Sequence, residues 1–174
     1  MTTAPEMVIV VDADDVELAT ADRDQVHRQG VLHRAVSVFL FNDRGELLLQ
    51  RRASTKATFA GKWANTCCTH PRPGEDLVSA GERRLAEEMG LKVSLHWVGS
   101  FVYHAEDAAS GYVEHELDHV LVGQSDRDPI LDPAEAGEFR WVDVNWLRSE
   151  MSGTDYAPWL GEALTHFPDL GVSR

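Results

Sequence analysis

Glu114-His115-Glu116 sets two carboxylates two residues apart within a segment, Tyr112 to Gly123, whose composition suits a β strand. Alternation would then send Glu114 and Glu116 to one face and Val113, His115 and Leu117 to the other. Two like charges on one face repel, and a cation between them relieves the repulsion. A solvated strand face accounts for the pair equally well. His27, His33 and His70 each stand at an expected element boundary and offer the other ligand type. Three imidazoles with two carboxylates make a five- or six-coordinate set for a borderline ion such as Mn²⁺ or Zn²⁺. The chain has eight histidines, so choosing three is weak by itself. His104, His115 and His119 are rivals, although the last two should face away from the glutamates.

Cys68 precedes His70 by two residues, which in an extended segment puts a thiol on the side of the proposed metal. A thiol can give or take a proton once its surroundings tune it. For a lone cysteine, a small buried hydrophobe is the better reading, and Cys67 fits that reading better still. Arg52, Lys56, Arg23 and Arg84, with Arg51 beside them, form a basic set able to hold a diphosphate. Each is otherwise a solvated surface charge, the better reading for Arg51 and Arg83. Glu88, near the end of an expected helix, could carry Mg²⁺, which suits phosphate oxygens.

These groups need elements to position them. Met7–Val11 reads as a strand, 12–15 as a turn and 21–30 as a polar segment. Leu32–Phe41 and Glu46–Arg52 read as strands joined by the turn Asn42-Asp43-Arg44-Gly45, together a hairpin. A loop over 53–62 leads to a short strand over Trp63–Thr69. Pro71, Pro73 and Gly74 then break the chain. Leu77, Gly81, Leu85 and Met89 recur every four residues, predicting a helix over Glu75–Met89 with Gly90 as its C-terminal cap and the pairs Arg83–Glu87 and Arg84–Glu88 along it. Val93–His104, Tyr112–Gly123 and Phe139–Val142 read as strands, with a turn over 107–111. Val144–Met151 and Trp159–Phe167 read as helices. The sum is an α/β chain with a mixed sheet between helices.

The 174 residues suit one domain, 1–174. No apolar run approaches the roughly 20 residues that span a bilayer. No secretory signal is visible near Met1, and two adjacent cysteines make a poor disulfide framework, so a cytoplasmic setting is expected. The formal net charge of −13 repels nucleic acid and anionic membranes. An anionic substrate therefore needs a local basic cluster or a metal.

Five stretches in order carry a family resemblance: His27-Arg-Gln-Gly-Val-Leu-His33, Trp63-Ala-Asn-Thr-Cys-Cys68-Thr-His70-Pro, Arg83-Arg-Leu-Ala-Glu-Glu88-Met-Gly, Val113-Glu114-His-Glu116 and Ala157-Pro-Trp159. Together they closely resemble the type I isopentenyl-diphosphate isomerases of the Nudix superfamily, from about Val8 to Trp159. The resemblance implies a Nudix-type α/β/α sandwich with a mixed sheet and additional N-terminal structure. It implies interconversion of isopentenyl and dimethylallyl diphosphate. It makes His27, His33, His70, Glu114 and Glu116 ligands of Mn²⁺, Zn²⁺ or Mg²⁺, and Glu88 the ligand of a Mg²⁺ carried with the substrate. It casts Cys68 and Glu116 as the catalytic pair, Tyr103 as their helper and Trp159 as an aromatic wall. Arg23, Arg52, Lys56 and Arg84 become diphosphate contacts. No flavin is implied. The expected partner is a small diphosphate, with no nucleic acid or membrane, and the chain a monomer or weak dimer.

Two departures matter. A general Nudix hydrolase has glycine where Thr69 stands and glutamate where Arg84 stands. Losing that glutamate removes a ligand for the extra metals of pyrophosphate hydrolysis and favours the isomerase branch. Arg23 stands where the family usually has lysine. The reaction itself demands a proton given at one carbon and taken at another, with Glu116 as donor and Cys68 as acceptor. Water must be excluded from the cation between, and an aromatic face that is not nucleophilic must stabilise it. By position, Ala105–Ser110 and Ala157–Leu164 are candidate lids.

Overall fold

The computed structural model describes residues 5–171. Its elements are β1 (Met7–Val11), β2 (Glu17–Asp22), α1 (Arg23–Gln29), β3 (His33–Phe41), β4 (Leu47–Arg52), β5 (Trp63–Ala64), β6 (Cys67–Thr69), α2 (Leu77–Met89), β7 (His96–Asp107), β8 (Tyr112–Gln124), β9 (Ala136–Val142), α3 (Val144–Glu150) and α4 (Pro158–His166). All nine strands belong to one mixed sheet.

β3 is its hub. It runs parallel to β8 over nine register pairs and antiparallel to β6. Val36, Val38 and Leu40 join Leu85 and Met89 of α2 in one core, whereas Phe39 and Phe41 join Leu147 of α3 and Leu160 of α4 in another. Both faces are covered, which is why β3 reads as a nearly continuous apolar run. This is the α/β/α layering expected, with β1, β2 and α1 as the additional N-terminal structure.

The expected hairpin is corrected. β3 and β4 pair only at Phe41 and Leu47, next to the turn closed by Gly45 N–H to Asn42 O at 2.9 Å, with Gly45 at φ 73°. Beyond that point the strands diverge. β4 pairs instead with β9 and β5. The expected single strand over Trp63–Thr69 is two strands, β5 on β4 and β6 on β3. Thr66 ties the split: its Oγ1 donates to Leu48 O at 2.7 Å and accepts from Leu40 N at 2.9 Å. The fork delivers Cys67 and Cys68 to opposite faces of the sheet, Cys67 into the α2 core and Cys68 against the α4 core.

α2 starts at Leu77 rather than Glu75, because Asp76 is extended (ψ 157°) and caps Ser79 N at 3.0 Å. Glu75 is drawn off by Arg83, with bonds of 2.7 and 2.9 Å. Two elements had no expectation. β2 is an exposed edge strand, and α1 buries only Val26 and His27, so neither has an apolar rhythm to read. α1 is set by its caps, Asp22 at the start and the left-handed Gly30 at the end. The segment Ala157–Leu164 is core: Trp159, Leu160, Ala163 and Leu164 are buried, and Ala157 N–H bonds Trp63 O at 2.8 Å. That burial argues against a lid there. Ala105 and Glu106 likewise sit in β7, and Asp107 accepts Phe59 N–H at 3.2 Å.

Candidate active site and metal centre

Four adjacent strands, β7-β8-β3-β6, turn their alternate residues toward α4. Register pairs Tyr103 with Glu116, Glu116 with His33, and Ser37 with Cys68. His70 follows β6, and His27 comes in from α1. Candidate ligand atoms of His27, His33, His70 and Glu116 lie within 4.8 Å of one another. Glu116 Oε1 is 3.0 Å from His70 Nε2 and 3.5 Å from His33 Nε2. Glu114 stands beside this group, its Oε2 3.0 Å from His27 Nε2.

The tautomers make the cluster suited to a cation. His27 Nδ1 bonds Arg23 O at 2.7 Å and His33 Nδ1 bonds Val31 O at 2.9 Å. A carbonyl only accepts, so each Nδ1 carries the proton, and in the neutral ring Nε2 is left with an inward lone pair. The His33 lone pair faces His70 Nε2 at 3.2 Å, and the His27 lone pair faces the Glu114 carboxylate. Such facing acceptors are unfavourable unless a proton or a metal ion lies between them. Carbonyl-anchored imidazoles with Nε2 free are the usual way a protein orients metal-binding histidines. His115 bonds Gly30 O and His119 contacts Trp97 and Asp15, on the opposite face as expected.

Tyr103 Oη donates to Glu116 Oε2 at 2.6 Å. Burial drives the Glu116 carboxyl up, but the neighbouring His33 and His70 rings outweigh it and shift the group down from its ordinary value. Burial, with the Glu116 charge beside it, pushes the Tyr103 phenol far up. Cys68 is pushed up to about 12, by burial first and then by neighbouring Asp118, against its contacts with Ser37 and Asn65. Asp118 is raised by burial and by Glu116.

Cys68, His70, Glu114, Glu116, Tyr103 and Trp159 line an open cavity of 730 Å³ that Arg23, Arg52, Lys56 and Arg84 also line. The fork between β3 and β4 lets one cavity reach groups from both layers. Each of the four cations already has partners. Arg23 lies near Glu6 and Asp24, and Arg52 donates to Thr58 O and sits 5.2 Å from the Trp159 ring centroid. Lys56 and Arg84 both meet Glu135, and Arg84 also holds Glu87 and Glu88. Glu88 is buried on α2, one oxygen on Arg84 and the other 3.4 Å from Gln50 Nε2, so it stands behind Arg84 rather than on the cavity wall.

Four residues of the site escaped the sequence reading. Asp118 continues the alternation of Glu114 and Glu116 by one more step, a signal present in the spacing. Ser37 and Asn65, which bond the thiol, sit in ordinary strand and loop composition and gave no signal. Glu135 comes from a connecting segment and meets Lys56 and Arg84 only in space.

The fold and the metal-suited cluster define a Nudix protein: the NUDIX domain family model matches residues 31–163. Solved structures agree on the fold, among them a Deinococcus radiodurans protein (TM-score 0.78, 22% identity, 92% of this chain and 98% of that one) and a MutT protein from Methanosarcina mazei (TM-score 0.68, 21% identity, 82% and 96%). Curated relatives are narrower. The isopentenyl-diphosphate Delta-isomerase of Nocardia farcinica is 50% identical over 143 residues, covering 80% of this chain and 82% of its own. That of Serratia proteamaculans is 44% identical over 171 residues, covering 97% and 93%. The chain belongs to the isopentenyl-diphosphate Delta-isomerase family of Nudix proteins.

Proposed function

We propose that this chain interconverts isopentenyl diphosphate and dimethylallyl diphosphate, with Cys68 and Glu116 moving the two protons. The observation that carries the reading is one cavity lined by the Cys68 thiol, the Glu116 carboxyl, the buried Trp159 indole and four cations. Between them, one gives a proton to the alkene and the other takes one from the carbon beside the cationic centre. One passage exchanges the protonation of the two groups, and the reverse reaction restores it. With Glu116 as donor, as the sequence suggests, Cys68 is the acceptor, and the roles exchange with the direction of the reaction.

Tyr103 holds the second oxygen of Glu116, leaving that carboxylate one orientation. Trp159, 3% exposed, offers the cationic intermediate a face that cannot attack it, while Phe59 packs edge-on at 5.5 Å and helps keep water out. Arg23, Arg52, Lys56 and Arg84 supply the grip on the diphosphate that orients the hydrocarbon end. His27, His33, His70, Glu114 and Glu116 would hold a divalent ion, Mn²⁺, Zn²⁺ or Mg²⁺, whose charge would polarise the Glu116 carboxyl. Glu88 would meet a Mg²⁺ arriving with the diphosphate once Arg84 releases it. No flavin enters. Arg84 in place of a further carboxylate supports isomerisation over hydrolysis. No helix among the described residues is long and apolar enough to cross a membrane, and we place the activity in the cytoplasm, carried out by a monomer or weak dimer.

Cys68→Ala and Glu116→Gln test the pair. Each should lower kcat by roughly 10²–10⁴-fold with the fold intact. Near-native turnover in either variant would remove that residue from the chemistry.

A further inference from the structure

Asn65 is fully buried in the link between β5 and β6, and every hydrogen-bonding site of its side chain is used. Its Nδ2 donates to Val38 O and to Cys67 O, both at 3.0 Å. Its Oδ1 accepts from Trp159 Nε1 at 2.9 Å and from Cys68 Sγ at 3.2 Å. A primary amide has two N–H groups and two oxygen lone pairs, so the set is complete. It is also not reversible. Turning the amide over would aim its N–H groups at an indole that can only donate and its oxygen at two carbonyls that can only accept. The backbone of β3 and β6 therefore dictates that the oxygen faces Cys68 and Trp159.

We propose that Asn65 is a positioning residue for the isomerisation: its single carbonyl oxygen clamps the Cys68 thiol and the Trp159 indole together, fixing the proton-transferring group relative to the aromatic wall. The inference rests on the roles proposed for Cys68 and Trp159. Both residues line the cavity, while Asn65 does not, so Asn65 acts through them. The clamp links elements far apart in sequence, since α4 approaches the sheet only through tertiary packing. Ser37 Oγ also lies 3.4 Å from Sγ, but its hydrogen goes to Asp118 Oδ2 at 2.7 Å, which leaves Asn65 as the acceptor of the S–H. With both groups pinned on the protein side, a substrate between them meets a fixed geometry, and small misplacements of reacting groups are costly in rate.

The test uses the full chain in a Cys67→Ala background, so that the S–H stretching band in the infrared belongs to Cys68 alone. Asn65→Leu keeps the size and removes the acceptor. It should lower kcat by on the order of 10²-fold, leave KM for isopentenyl diphosphate within about two-fold, and move the S–H band to higher frequency. An unchanged kcat, or an unmoved band in the folded variant, overturns the proposal. If Asn65→Leu does not fold, Trp159→Phe decides. Removing the competing N–H leaves Oδ1 to the thiol alone, and the band should move to lower frequency; no shift overturns the shared clamp. Cys68→Ala separates the two readings. Should it stay active, the proton-transfer pair itself is wrong; should it be inactive while Asn65→Leu keeps native kcat, only the clamp fails.

Discussion

Tyr103 and Glu116 stand opposite each other across β7 and β8, and the buried phenol donates to Oε2 at 2.6 Å while His70 and His33 take Oε1. One carboxylate is thus held at both oxygens, by a donor on one side and by metal-suited imidazoles on the other. Tyr103→Phe keeps the ring and removes only the donor. It should lower kcat by about 10- to 100-fold, the range for groups that orient a ligand or catalytic residue, with little change in KM. Steady-state kinetics on the folded variant measure both.

The inward Nε2 lone pairs, that of His27 against the Glu114 carboxylate and that of His33 against His70 Nε2, predict that the cluster is less stable when empty. Exhaustive chelation should abolish turnover and lower Tm, and adding back Mn²⁺ or Zn²⁺ should restore both. Metal present at 100 times its Kd stabilises by about 2.7 kcal/mol. Metal analysis by mass spectrometry after dialysis, read beside calorimetry, checks this. A metal-free protein with native Tm and activity would refute the assignment.

Glu135 spans Lys56 and Arg84, two cations proposed to grip the diphosphate. The incoming phosphate must compete with that carboxylate. Glu135→Gln should therefore lower KM by roughly three- to ten-fold at low ionic strength while kcat holds, as expected for a change in uniform binding. A rise in KM would instead make Glu135 part of the substrate's own grip.

Glu75 gives a pH signature unconnected with catalysis. The two hydrogen bonds from Arg83 hold its carboxyl below the ordinary value of 4.5 despite some burial. A depressed folded pKa contributes stability that is fully present above the ordinary value and is lost as pH falls through the folded one. Urea melts of wild type and Glu75→Gln should differ by about 0.5–1 kcal/mol at neutral pH, and the difference should vanish in acid below that range. A difference that persists there would assign it to packing.

The layers and most strands were legible because β3, β8 and α2 carry strong periodic patterns: apolar runs in the strands and Leu77, Gly81, Leu85 and Met89 in the helix. The fork of β3 and β4 was not. The Asn42–Gly45 turn signals a hairpin locally, and nothing nearby shows that Thr66 wedges between Leu40 and Leu48 further along. The same limit governs the site. Spacing alone put Glu114 and Glu116 on one face and Cys67 and Cys68 on two, and the structure has them so. The surroundings of the Cys68 thiol were not legible: Ser37 reaches it from 31 positions away, and Asn65, three residues before it, stands in an ordinary loop.

The most direct measurement of the central claim is ¹H NMR of isopentenyl diphosphate incubated with the chain and Mg²⁺ in D₂O. The account predicts that the terminal vinylidene signals fade, that the two methyl signals of dimethylallyl diphosphate grow, and that deuterium enters the carbon skeleton. Unchanged substrate would contradict it, as would release of inorganic phosphate.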